Sequence, residues 1–203
     1  MPGLHATEAV RRTQILRAAF HVAAERGLGA LTVRDVAGKA GVSSGLVLFH
    51  FQSKERLVIA LLDMLLETTT VLHVTPDVNA IASPLGRLIA LLRMEMHRLA
   101  SELQRIRLFF DFWAMGIRHP RIRSKMRREL ARYRAAFRPI AEEVLSAERD
   151  RFPGVSPEGL AAVAVSFIKG CAVQSMIDPT RFDIEEYLAA AQGLVGQLAA
   201  SAA

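Results

Sequence analysis

The sequence has little of several features that define other classes of protein. Its 203 residues include a single cysteine, Cys171, so no internal disulfide can form. The longest apolar stretch, around residues 159–168, is interrupted by Lys169, which predicts no transmembrane helix. No apolar run precedes Arg11 and Arg12, so the hydrophobic region of a secretory signal is lacking. These absences predict a cytoplasmic protein without a membrane partner.

The residue patterns of catalytic and metal sites are also scarce. The six histidines, at positions 5, 21, 50, 73, 97 and 119, show no short metal-ligand spacing, and no glycine-rich phosphate loop follows a strand. Asp111, Glu142 and Glu143 could transfer protons in principle, but carboxylates on helix surfaces explain them better. We therefore expect no cofactor, no metal and no enzymatic activity, with a helical enzyme as an alternative.

Positive charge is in excess. The formal net charge of +6 and the isoelectric point of about 10.2 favour an anionic partner. Two segments hold most of this excess: residues 1–56, and the stretch RHPRIRSKMRRELARYR that begins at Arg118. We interpret the second segment as a solvated helix face rather than a nucleic-acid surface, whereas the first coincides with a DNA-binding pattern.

Apolar residues recur with helical spacing, and strand alternation is absent, which predicts an all-α fold. Beyond the first four helices, the spacing predicts helices over residues 84–100, 102–117, 121–150, 157–177 and 184–199. We divide the chain into a first helical domain over residues 1–52 and a larger helical domain over residues 53–203. Within the second domain, residues 53–66 are expected to form a connecting helix.

The stretch GVSSGLVLFHFQSKERL, residues 41–57, has an apolar middle between small polar and charged ends. Thr32 begins a short helix that Gly41 can end in the left-handed conformation, and Ser43 can cap the next helix through Phe51. Ser53 can cap a fourth helix. Two short helices joined by a tight turn behind a support helix form the geometry that places one helix in the DNA major groove.

Small residues at the start of the third helix allow close approach to the duplex, and the exposed N–H groups there favour a phosphate. Val47 and Phe51 are expected to pack inward, and Lys54 to provide a second phosphate contact. The predicted DNA-binding residues are Thr32, Arg34, Ser43, Ser44, Gly45, Leu46, Leu48, His50 and Lys54.

The stretch ILRAAFHVAAERGLGALTVRDVAGKAGVSSGLVLFHFQSKERLV, residues 15–58, resembles the TetR family of bacterial transcriptional regulators. The resemblance implies a helix-turn-helix DNA-binding domain over residues 1–52 and a helical ligand-binding and dimerisation domain over residues 53–203. It also implies a homodimeric repressor whose affinity for its DNA operator falls when a small-molecule effector binds. Many members have Thr and Tyr where this chain has Leu46 and Leu48, and leucine can contact thymine methyl groups but cannot hydrogen-bond. The Ser-Gly-Leu variant resembles the choline-responsive betaine-pathway branch. An architectural DNA-binding protein without ligand control is the alternative.

The cluster LFFDFWAMG, residues 108–116, is interpreted mainly as core, with a pocket as a second role. Aromatic faces can bind a cation, whereas the neighbouring arginines would suit a carboxylate, so both ligand charges stay open. The predicted ligand-binding residues are Phe109, Phe110, Phe112, Trp113, Met115, Phe167, Cys171 and Gln174.

The last two helices are expected to form the dimer interface. Residues 184–198 carry a continuous apolar stripe, and the helix over residues 160–177 is apolar around nearly its whole circumference, so it should be covered on two sides. A two-fold interface would place two recognition helices about 34–36 Å apart and demand a near-palindromic operator. The predicted interface residues are Val163, Phe167, Tyr187, Leu188, Ala191, Leu194, Val195 and Leu198.

Overall fold

The computed structural model describes residues 7–69, 72 and 74–200, without the side chains of residues 68–69 and 194–200. Within these ranges all regular structure is helical, so the all-α prediction is confirmed. Two short 3-10 turns, Leu28–Ala30 and Arg149–Arg151, accompany the α-helices. The helices are α1 Glu8–Arg26, α2 Val33–Ala40, α3 Ser44–Phe51, α4 Lys54–Thr69, α5 Pro76–Asn79, α6 Pro84–Ser101, α7 Leu103–Arg118, α8 Pro120–Ala147, α9 Pro157–Ile177 and α10 Ile184–Ala200.

The ends of the first helices follow the predicted capping chemistry. The hydroxyls of Thr32, Ser43 and Ser53 each accept a hydrogen bond at 3.1 Å from the backbone N–H three residues later. Gly41 ends α2 in the left-handed conformation, with φ 64° and ψ 36°. These contacts satisfy backbone groups that a helix end otherwise leaves without partners. The predicted starts of α2, α3 and α4 are therefore confirmed.

Two details differ from the sequence prediction. No helix is predicted between residues 66 and 84, yet Pro76–Asn79 forms a single helical turn there. Proline suits the first turn of a helix because its fixed φ is helical and its missing N–H is not needed. The helix predicted to reach residue 150 ends at Ala147, and the 3-10 turn Arg149–Arg151 follows it.

The chain divides into two compact units. The first unit comprises Met1–Thr69 and Arg107–Met126, and the second comprises Thr70–Ile106 and Arg127–Ala203. Helices α7 and α8 each contribute residues to both units. The domain boundary expected at residue 52 stays a prediction.

The core of the first unit joins the three helices of the DNA-binding pattern to α4 and α7. Val47 and Phe51 from α3, Leu61 from α4, and Phe109 and Phe112 from α7 belong to one cluster of buried apolar side chains. Full burial of each such side chain contributes about 1.5–3 kcal/mol. Packing in this core therefore fixes the orientation of α3.

Helix α9 packs against α6 and α10 in the second unit. By length and composition alone it is apolar enough to cross a membrane, a property that the sequence prediction discounted because of Lys169. Eight of its residues are buried inside the protein, including Ile168, Lys169 and Cys171. Buried core helices commonly share this apolar character, and we interpret α9 as a helix of that kind.

Candidate nucleic-acid interface

The outer face of α3 forms an exposed ridge. Val47 and Phe51 point into the core, as predicted. Gly45, Leu48, Phe49 and Gln52 are exposed and follow one another at spacings that place them on one side of a helix. Leu48 has 42% and Phe49 has 74% of its surface exposed, so apolar groups dominate this ridge. We call Gly45, Leu48, Phe49 and Gln52 the α3 ridge.

All nine predicted DNA-binding residues are at least partly accessible to solvent. The partly buried ones are Ser44, Leu46 and His50, and the exposed ones are Thr32, Arg34, Ser43, Gly45, Leu48 and Lys54. Accessibility is a requirement for contact with DNA but does not establish it. Their role therefore stays a prediction.

Phe49 is a candidate that sequence reasoning missed. Its ring is the most exposed of the large apolar side chains in the described part of the chain, and it stands edge-on to His50 with centroids 5.3 Å apart. The sequence did contain a signal, because Phe49 lies four residues after Gly45 on the same helical face. An aromatic residue is usually expected in the core, and that expectation concealed it.

Helix α1 holds α2 and α3 from behind. Arg12 donates a hydrogen bond of 3.1 Å to the carbonyl of His50 and lies 4.4 Å from the centroid of the Phe51 ring. Gln14 donates a hydrogen bond of 2.7 Å to the carbonyl of Ala40. The last carbonyls of a helix lack intrahelical partners, so these side chains satisfy the ends of both helices. The α3 ridge is thereby fixed relative to α1.

Two cations near α2 are used within the fold. Arg26 pairs with Asp35 at 3.1 Å, and Lys39 pairs with Glu25 at 2.9 Å. The hydrogen bond from the Thr32 hydroxyl is the main cause that lowers the pKa of Asp35. A hydrogen bond with Lys39 is the main cause that lowers the pKa of Glu25. Both carboxylates are therefore ionised at neutral pH, and they neutralise the paired cations.

Arg34 and Lys54 differ from these two paired cations. Both side chains are exposed, and neither forms an ion pair with a carboxylate in the described ranges. Lys54 also lies in the first turn of α4, where the backbone N–H groups add positive potential. Arg34 on α2 and Lys54 at the start of α4 are therefore suited to bind phosphates.

At the start of the basic segment after Arg118, the cationic side chains mainly form contacts within the fold. Within the first unit, Arg121 pairs with Glu55 at 3.5 Å, and Lys125 pairs with Asp63. Arg123 donates a hydrogen bond of 3.1 Å to a carbonyl near the end of α7. The start of α8 is thereby joined to α4, the helix that carries Lys54.

The predicted ligand-binding residues divide between the two units. The first group contains Phe109, Phe110, Phe112, Trp113 and Met115. Phe109 and Phe112 are buried in the core of the first unit, and the Trp113 ring lies 5.8 Å from that of Phe109. The second group lies on α9 and contains a partly buried Phe167, a buried Cys171 and an exposed Gln174.

The second unit contains an apolar cavity of about 290 Å³. Helices α6, α9 and α10 and the end of α8 form its walls, together with the turn Arg149–Arg151. Phe167 is the predicted ligand-binding residue that lines it. Other lining residues are Leu88, Leu92, Arg151, Phe152 and Leu188.

The second unit also buries a charged network. Glu95 on α6 is fully buried and accepts two hydrogen bonds from Arg98, at 3.1 and 2.7 Å. The Tyr133 hydroxyl donates to the same carboxylate at 2.8 Å, and the Lys169 ammonium lies 5.1 Å from the centre of the Tyr133 ring. Burial raises the pKa of Tyr133 and lowers the pKa of Lys169 to about 8. Sequence reasoning did not identify this network.

The predicted dimer residues lie in different environments. Val163 is exposed, while Phe167, Tyr187 and Ala191 are partly buried. Leu188 is buried within the chain's own second unit. The side chains of Leu194, Val195 and Leu198 lie outside the described residues. The predicted interface as a set therefore stays a prediction.

A support helix, a tight turn and an exposed second helix define a helix-turn-helix DNA-binding protein. Residues 15–61 match the family model described as bacterial regulatory proteins, tetR family. Residues 84–200 match the model of the C-terminal domain of BetI-type transcriptional repressors. The chain belongs to the TetR family of bacterial regulatory proteins. The resemblance seen in residues 15–58 is thus confirmed.

Individual relatives match different parts of the chain. It is 54% identical over 48 residues to the HTH-type transcriptional repressor KstR2 of Rhodococcus jostii, which covers 24% of either protein. It is 28% identical over 188 residues to the HTH-type transcriptional regulator BetI of Rhizobium meliloti, covering 93% of this chain and 89% of BetI. The chain thus spans about a quarter of the KstR2 repressor but most of BetI.

A solved structure shows the same fold. A transcriptional regulator from Saccharomonospora viridis in complex with choline superimposes with a TM-score of 0.69 and 17% sequence identity. The match covers 91% of this chain and 95% of that one. At this level of identity the similarity establishes the fold alone.

Proposed function

We propose that this chain is a cytoplasmic repressor that binds a near-palindromic operator as a homodimer and is released by a small-molecule effector. The α3 ridge carries this proposal, because α1 fixes it from behind and the exposed cations Arg34 and Lys54 lie on α2 and α4, the helices before and after α3. The cations and helix starts would hold the DNA backbone, while Leu48 and Phe49 would contact thymine methyl groups. We therefore expect an operator with A·T pairs under the α3 ridge.

The release mechanism requires a difference between two states. An effector weakens DNA binding only if it favours a spacing of the two DNA-binding units other than the one the operator needs, since equal affinity for both states shifts nothing. Helix α4 is the proposed lever. It carries Lys54 and is tied to the start of α8 by Lys125 and Asp63. Phe109 and Phe112, two of the predicted ligand-binding residues on α7, share a core with α3 and α4.

The homodimer is supported by exposed apolar residues on α9. Val163, Val173 and Ile177 expose 49%, 36% and 73% of their surfaces, and exposed Ser166 lies between them. A two-fold axis would bring the same residues of a second chain against them. We place the interface on this face of α9 together with α10.

Two other functions have less support. We propose no catalytic role, because the similar proteins with known roles are regulators and Glu142 and Glu143 form surface ion pairs with Arg138 and Arg87. A DNA-binding protein without ligand control is the second alternative. The apolar cavity in the second unit favours ligand control over that alternative.

Selection of DNA from random duplexes tests the operator and its readout. We expect a near-palindrome whose half-sites lie one helical turn apart. Phe49→Ala should weaken the preference at its A·T pair by about 1–3 kcal/mol, the usual effect of one wrong base pair. Ile117→Ala, an exposed apolar residue at the end of α7, is the control. Identical selected motifs for the wild type and Phe49→Ala would remove Phe49 as a base reader.

Salt dependence tests the phosphate contact. Lys54→Ala should lower affinity for all sequences and reduce the slope of log K against log salt by about 1. Lys39→Ala is the matched control, because Lys39 already pairs with Glu25. Binding isotherms at four salt concentrations give both slopes. A slope that Lys54→Ala leaves unchanged would count against a contact between Lys54 and phosphate.

Sedimentation tests the homodimer. Val173→Arg should place a charge in the interface and give monomers with little operator affinity but an intact helical spectrum. Val155→Arg is the control, since Val155 is similarly exposed but lies outside the helices. A wild-type monomer, or a monomeric variant with full operator affinity, would contradict the homodimer.

A further inference from the structure

The apolar cavity of the second unit has the size of a small-molecule site. Its volume of about 290 Å³ is close to the lower end of the usual range of such sites, about 300–1,000 Å³. Of the 14 lining residues in the described part of the chain, all but Arg151 and Gln192 are apolar. The cavity therefore suits a compact molecule with a mainly hydrocarbon body.

The charges at the cavity distinguish a cationic ligand from a ligand that carries a carboxylate. Arg151 is the charged side chain among the described lining residues, and no carboxylate lines the cavity there. One nitrogen of Arg151 pairs with Glu148 at 2.6 Å. A guanidinium has five N–H donors, so Arg151 can also donate to a bound carboxylate. To a quaternary ammonium ion the described lining offers the rings of Phe152 and Phe167 but no carboxylate, and it places the like charge of Arg151 beside it.

The cavity also contacts the proposed dimer helices. Val163 and Ala191, on α9 and α10, are both predicted interface residues and cavity-lining residues. A ligand between α6 and these helices would therefore act on their spacing. In a dimer held by α9 and α10, that spacing affects the separation of the two DNA-binding units.

We propose that this cavity is the effector site and that it takes an apolar molecule bearing a carboxylate rather than a choline-like cation. The inference rests on the proposed function, in which an effector releases the repressor from DNA. It assigns the site to α6, α9, α10 and Arg151, away from the aromatic residues of α7.

Calorimetry with octanoate, 1-octanol and choline tests the ligand class directly. Octanoate should bind with a Kd below about 1 mM, octanol more weakly, and choline without measurable heat. Arg151→Gln should weaken octanoate binding at least tenfold and leave octanol binding unchanged. Arg149→Gln, in the same 3-10 turn but outside this lining, is the matched control. Choline binding that octanoate displaces, no binding of octanoate, or octanoate binding that Arg151→Gln leaves unchanged would overturn the assignment.

A second variant tests the location. Ala164 is buried on α9 and lines the cavity, so Ala164→Leu should fill it and abolish binding of both octanoate and octanol. Circular dichroism checks that the variant folds, and Arg151→Gln tests the site if it does not. Undiminished octanoate binding by a folded Ala164→Leu protein would place the ligand elsewhere.

Operator affinity separates this inference from the proposed function. Measured on DNA obtained by selection, it should fall at least tenfold when octanoate saturates the wild type. If octanoate binds and Arg151→Gln weakens that binding, but operator affinity does not change, the site is correct and release by this ligand is wrong. If the protein selects no DNA sequence, the proposed function fails while the calorimetric result stands.

Discussion

The two units differ in what they bury. In the described part of the first unit every buried side chain is apolar, whereas the second unit buries Glu95, Glu129, Lys169 and Ser175. Apolar packing defines a shape that does not change with pH, and it leaves the cations of the first unit at the surface. Buried charges are held only while their partners and geometry are correct. The contrast suggests a rigid DNA-binding unit and a second unit whose stability depends on ionisation.

Removal of the central carboxylate should give the largest effect on stability. Glu95→Ala would leave Arg98 and Lys169 without the carboxylate between them, and breaking a buried ion pair in this way costs about 3–5 kcal/mol. Urea denaturation measures the change. Glu142→Ala, which removes an exposed partner of Arg138, should cost less than about 1 kcal/mol. Both residues lie in the second unit, so equal losses for the two variants would refute the claim that its stability depends on its buried charges.

Lys169 should make the stability of the second unit depend on pH. Its pKa falls from 10.5 to about 8, mainly because burial disfavours the charged form. Below pH 8 the Lys169 ammonium is charged in both the folded and the unfolded state, so the cost of burying its charge is fully present. Above pH 10.5 the amine is neutral in both states, and this cost is absent. The free energy of unfolding should therefore rise by about 3 kcal/mol relative to Lys169→Met across this interval. Parallel pH curves for the two proteins would contradict the prediction.

The smallest predicted effect is local to the backbone of the first unit. Gln52 ends α3 with φ 64°, a conformation that favours glycine. Gln52→Gly should stabilise the fold by about 1 kcal/mol, and Gly41→Ala, at φ 64° after α2, should destabilise it by a similar amount. Thermal unfolding measures both changes. The two changes in the free energy of unfolding should have opposite signs and should not depend on pH. Destabilisation by Gln52→Gly would show that the Gln52 side chain stabilises the fold by more than its backbone conformation destabilises it.

The sequence determined most of the helices and the caps of α2, α3 and α4. Helical spacing and capping depend on residues within a few positions of one another, so Thr32, Gly41, Ser43 and Ser53 marked the ends of helices that the structure has there. The inward position of Val47 followed from the same local geometry. The family motif over residues 15–58 is likewise a pattern of residues that lie close together in the chain.

Only the tertiary structure decided which distant groups meet. Glu95, Tyr133 and Lys169 come from three helices, and no spacing along the chain shows that they share one buried site. Likewise, Arg151 becomes a cavity residue because the turn after α8 lies against α6, α9 and α10. Phe49 is exposed because Val47 and Phe51 already fill the core beneath α3. Burial depends on all neighbours packed around a residue, whereas helix formation and capping depend mainly on the residues beside it in the chain.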